Sequence, residues 1–179
     1  MTRTLYAVLT LAFLLTAALS AQALQTYTNQ DFHFRFDYPI DWDNQSTDDE
    51  LFILANLQEE MPVVITVMAE PLTPEDLQME FDALMQDAMT EIKQNLEDMG
   101  MGVIEVIASG DTLLAEQRAH RLDLRISILD TIFMRMDNLI VPNGDNLIFL
   151  SFTAESGVHD QHLPVFAALK QSLRLLPAE

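Results

Sequence analysis

Cysteine is absent from this 179-residue chain, so no disulfide staples it and no thiolate can act as a nucleophile or soft metal ligand. Basic residues are scarce: nine Lys and Arg stand against 28 Asp and Glu, a formal net charge of −19. Such a surface repels a phosphate backbone and anionic headgroups, which excludes nucleic acid as a partner. Self-repulsion also favours a dispersed monomer. Beyond Leu19 no apolar run approaches the roughly 20 residues of a spanning helix, so an integral membrane protein is not expected. The chain has no glycine-rich nucleotide loop, no Gly-x-Ser-x-Gly elbow, no Ser-x-x-Lys pair and no His-Glu-x-x-His. These absences point away from an enzyme.

What is present begins with a leader. Arg3 is the only charge before Asp31, and residues 5–19 are apolar apart from Thr10 and Thr16. Ala21 and Ala23 then supply the small residues that a signal peptidase requires, so cleavage is expected after Ala23. No cysteine follows the apolar core, which excludes lipid attachment. Residues 1–23 read as a signal peptide and 24–179 as a single domain, secreted or periplasmic.

Within that domain, Phe32, Phe34, Phe36 and Tyr38 alternate with His33, Arg35 and Asp37, the pattern of a half-buried strand that Pro39 ends. Strands follow at 51–57 and 62–69, the latter apolar on both faces and so expected to be covered on both. A helix is predicted to start at Thr73, with Asp76 as its capping acid and Leu77, Phe81, Leu84, Ala88, Ile92 and Leu96 as one apolar stripe. A strand at 103–108, a turn at Ser109-Gly110-Asp111 and a meander over 121–128, 131–141 and 146–153 come next. The closing helix is placed at 160–174, with Pro164 in its first turn and Phe166, Leu169, Leu173 and Leu176 on one stripe. This order of elements defines an α+β domain with a mostly antiparallel sheet flanked by helices.

Tyr27-Thr28-Asn29, then Phe34-Arg35-Phe36-Asp37-Tyr38-Pro39 and Trp42, resemble the opening hairpin of PsbP-like domains, and the later order of elements agrees. The resemblance implies an α/β/α sandwich without catalytic machinery, acting by docking onto another envelope or extracellular protein. It also implies structural roles for Tyr38, Pro39 and Trp42, with Trp42 as a lid on the core or a binding residue.

Three groups could carry recognition. Asp41, Asp43, Asp48 and Asp49 crowd a loop whose oxygens could hold calcium, although an EF-hand register fails at Ser46 and Phe52. A solvated loop is the plain alternative. His159 and His162 stand three apart near a helix start, a spacing suited to zinc on one face, against a role as exposed capping residues. Arg121, Arg125 and Arg135 would share an outer face of neighbouring strands, either paired with Asp123, Asp130 and Asp137 or presented to an acidic partner. The leading expectation is a non-catalytic, exported interaction module that needs no cofactor. A binder of a metal ion or small molecule is the alternative.

Overall fold

The period-two alternation of the meander is realised as a large antiparallel sheet. The computed structural model describes residues 23–46, 50–128 and 131–177; the leader residues 1–22 and Asp48, Asp49 and Asp130 lie outside them. Seven strands form the main sheet: β3 (Asp43–Asn44), β4 (Leu51–Asn56), β5 (Val63–Pro71), β6 (Val103–Leu114), β7 (Gln117–Ile128), β8 (Ile132–Asn143) and β9 (Asn146–Glu155). Their spatial order is β3-β4-β5-β9-β8-β7-β6, and every neighbouring pair is antiparallel. A second, three-stranded sheet joins β1 (Leu24–Asn29), β2 (Phe34–Pro39) and β10 (Arg174–Leu175).

Helix α1 (Phe81–Asp98) covers one face of the main sheet, and helix α2 (His159–Ser172) lies on the other beside the small sheet. Leu84, Met85 and Ala88 of α1 pack on Ile140, Leu147 and Phe149, and Leu96 packs on Leu122, Leu124 and Ile126. On the opposite face Phe34, Phe36, Phe52, Phe152 and Phe166 join one continuous core. Burying each such ring contributes about 1.5–3 kcal/mol. Asn143 fastens the small sheet to the large one, its Nδ2 donating to the carbonyls of Phe32 (3.1 Å) and His33 (3.0 Å). The architecture is the α+β sandwich that the pattern predicts.

Four local expectations are corrected. Thr73 and Asp76 do form the reciprocal cap, with Thr73 Oγ1 donating to Asp76 Oδ2 at 2.6 Å, but it closes a 3-10 turn at Asp76–Gln78. The backbone then extends through Met79 and Glu80 before α1 begins, because the sheet surface that receives the stripe starts at Phe81; Leu77 is left half exposed. Ser109-Gly110-Asp111 is not a turn but the middle of β6, where pairing with β7 overrides local turn chemistry. Only one face of β5 is buried, since α1 runs over β7, β8 and β9 and leaves Met68 exposed. Finally, α2 starts at His159, which puts Pro164 beyond the first turn, and it ends at Ser172.

Candidate functional site

Where α2 leaves the main sheet uncovered, the strand residues facing it become charged. On β7 the side chains at 122, 124 and 126 face α1, so Arg121, Asp123 and Arg125 face the α2 side. The same alternation on β8 puts Arg135, Asp137 and Leu139 on that side, with Asp123 opposite Asp137 and Arg125 opposite Arg135. The expected shared face of the three arginines is therefore present.

Between this face, the end of β6 and α2 lies a cleft of about 470 Å³. Its charged lining is Arg121, Arg135 and Lys170 with Asp123 and Asp137; Leu114, Leu139, Leu163 and Phe166 form apolar walls. Arg121 grips Asp123 with both arms of its guanidinium, Nε donating to Oδ1 at 2.8 Å and Nη2 to Oδ2. Arg135 reaches the exposed Asp160 at 3.1 Å, and Arg125 reaches Glu105 at 3.2 Å. Of the pairings expected from the sequence, only Arg121 with Asp123 forms as such; Asp130 lies outside the described residues.

Two further charges line the cleft. Asp137 is 9 % exposed, and its Oδ1 is buried 3.4 Å from His159 Nε2 without a hydrogen bond. Burial, followed by the neighbouring Asp123 carboxylate, raises the Asp137 pKa above the ordinary range. Lys170 rests its Nζ 4.5 Å from the Phe166 ring centroid and has no ion pair among the described residues. Burial lowers its pKa.

The metal candidates are arranged differently. His159 is fully buried with its nitrogens against Asp137 and Asp160, whereas His162 Nε2 meets Glu59 at 2.9 Å. Although three apart on one helix, the two rings are engaged by different carboxylates, and neither is an exposed cap. Asp43 lies exposed on the two-residue edge strand β3, next to Asp41; Asp48 and Asp49 lie outside the described residues. No group of three His, Asp or Glu side chains among the described residues could hold a metal ion. Trp42 is corrected as a docking residue: at 6 % exposure it is part of the core, edge-on to His162. Its structural role stands.

One constellation has no signature in the sequence. Ser109 Oγ lies 2.8 Å from His120 Nε2, and His120 Nδ1 lies 3.4 Å from Asp111 Oδ1. The spacing was hidden because Ser109 and Asp111 read as a turn, and His120 reaches them only through the β6–β7 register. This trio faces α1, where Met89 Sδ sits 3.4 Å from the hydroxyl, so it lies across the sheet from the charged cleft. Acyl transfer also needs a substrate cleft and donors for a developing oxyanion.

No protein-family model matches the chain, and no curated protein matches it in sequence. Solved structures do match it. Cyanobacterial PsbP (CyanoP) from Synechocystis sp. PCC 6803 has a TM-score of 0.63 at 17 % identity, covering 88 % of this chain and 95 % of its own. LpqN, involved in cell envelope biogenesis of Mycobacterium tuberculosis, has a TM-score of 0.60 at 10 % identity, covering 89 % and 88 %. A Pseudomonas aeruginosa protein, PA94, described as a putative regulator, has a TM-score of 0.53 at 13 % identity, covering 87 % and 98 %. The chain has a PsbP-like fold, as the opening hairpin implied. No helix among the described residues is long and apolar enough to cross a membrane.

Proposed function

We propose that the protein is an exported accessory module, without catalysis of its own, that docks onto another envelope or extracellular protein. The observation that carries the reading is the cleft beneath α2. On a chain of net charge −19, Arg121, Arg135 and Lys170 converge there with Asp123 and Asp137 beside an apolar wall, and Lys170, which has no ion pair among the described residues, offers an acidic segment of a partner a counter-charge. The leader at 1–23 supports export, and the envelope role printed for LpqN agrees with it. Fold likeness supports only the architecture, so the site carries the functional argument.

Charge reversal tests it. Lys170→Glu should abolish recovery of the native partner from cells, while Lys93→Glu on α1 should leave it unchanged. Equal recovery with both variants would overturn the cleft as the docking face. A small-molecule reading of the same cleft is favoured by one further observation, that Lys170 has no ion pair among the described residues and Asp137 Oδ1 accepts no hydrogen bond.

A further inference from the structure

The inner cleft presents opposite charges that do not satisfy one another. Asp137 and Lys170 line the same cavity, yet they form no ion pair with each other, and Arg121 and Arg135 are already engaged by Asp123 and Asp160. Asp137 is nine-tenths buried, and its Oδ1 accepts no hydrogen bond and meets only His159 Nε2 at 3.4 Å, so its lost hydration is replaced only in part. A half-buried ammonium without an anion is costly for the same reason. A ligand carrying one charge would relieve one group and leave the other stranded. A ligand carrying both, with an apolar body against Leu139, Leu163 and Phe166, relieves both.

We infer that the inner cleft is a binding subsite for a small zwitterion of the free α-amino-acid type, its ammonium at Asp137 and its carboxylate at Lys170. The inference rests on the cleft being a binding site and adds a ligand that the docking partner does not supply. The cavity of about 470 Å³ admits a side chain of leucine or phenylalanine size beyond the two charges. Buried polar groups built to meet a ligand also reject analogues that lack the matching group, so blocking either end of the ligand should prevent binding.

Titration calorimetry and thermal melting of the purified protein test this, using phenylalanine and leucine as probes with N-acetylphenylalanine and phenylalanine amide as blocked forms. The free amino acids should bind and raise the melting temperature, and neither blocked form should. Asp137→Asn and Lys170→Met should each weaken binding about tenfold or more, the cost of one charge-assisted contact. No binding of any free amino acid up to about 10 mM, or equal binding of a blocked form, would overturn the inference. Should a variant fail to fold, the blocked analogues decide the matter alone. Recovery of a protein partner through the cleft without amino-acid binding would sink this inference and leave the docking reading standing. Amino-acid binding without a partner would do the reverse.

Discussion

Asp123 and Asp137 lie directly opposite one another across β7 and β8, both facing α2 and both nearly buried. Like charges in that relation repel; Arg121 hydrogen-bonds Asp123, while Asp137 has only the longer-range attraction of His159, Arg135 and Arg121. The cleft is thus held at a cost to stability, as binding sites commonly are. Asp137 binds its proton more tightly in the folded chain, since burial raises its pKa. Its contribution is therefore fully present at acid pH and is lost as pH rises through the raised folded value. Asp137→Asn should gain on the natural protein across that rise and exceed it by about 1 kcal/mol at neutral pH, or roughly 2–4 °C. Melting curves from acid to neutral pH check this.

Lys170 shifts the other way. Burial lowers its pKa, so the folded chain binds that proton less tightly than the unfolded chain does. Stability should rise as pH climbs from the lowered folded value towards the ordinary lysine range. Lys170→Met keeps the aliphatic stem on Phe166, removes that alkaline rise and should melt slightly higher at neutral pH, by less than the Asp137 variant because solvent screens the half-exposed ammonium. Denaturation at pH 7 and in the alkaline range reads both effects.

The β6–β7 hairpin turns through Ala115 and Glu116, both with positive φ (49° and 67°), where Asn-Gly is the favoured pair. Replacing the two by Asn-Gly should stabilise the domain by about 1 kcal/mol, since an L side chain with a Cβ is strained there. Urea denaturation measures it. Ala115 borders the cleft, so the same variant should leave the fold intact and the cleft rim repositioned only slightly.

Two glycines after α1 separate conformational from steric demands. Gly100, at φ +73°, ends the helix while Met101 N–H reaches the Leu96 carbonyl at 3.0 Å; a Cβ there meets open space. Gly100→Ala should cost about 1–2 kcal/mol, from backbone strain alone. At Gly102 a Cβ would land on the backbone carbonyl of Ser127. Gly102→Ala should therefore cost more than Gly100→Ala and splay the start of β6 from β7. Hydrogen exchange of the paired β6 and β7 amides locates that damage.

The Ser109–His120–Asp111 trio gives a direct check on the non-catalytic reading. Fluorophosphonate probes label an activated serine, and no labelling of Ser109 above a Ser109→Ala background is expected. His120 would then serve to tie β7 to β6 through hydrogen bonds. Stoichiometric labelling that the variant abolishes would contradict it.

Period-two alternation made the β7 and β8 faces legible from the sequence: Leu122, Leu124 and Ile126 go inward, and Arg121, Arg125 and Arg135 share the other side. The aromatic hairpin was legible too, because Phe34, Phe36 and Tyr38 leave one fully apolar face. What pairs with the arginines was not. It depends on strand register and on where α2 lies, which brings Asp160 to Arg135 and Lys170 into the cleft. Local turn chemistry misled at Ser109–Asp111, where β6 runs straight through and the irregularity falls at a bulge between Val106 and Ala108.

Recognition is assigned to the cleft beneath α2. Photocrosslinking in the native cells tests it most directly, with the crosslinking side chain placed at Gln171 in the cleft or at Glu91 on the exposed side of α1. A discrete crosslinked partner is expected from position 171, lost when Lys170→Glu is added, and none from position 91. The same partner captured from position 91, or capture at 171 that ignores Lys170→Glu, would contradict it.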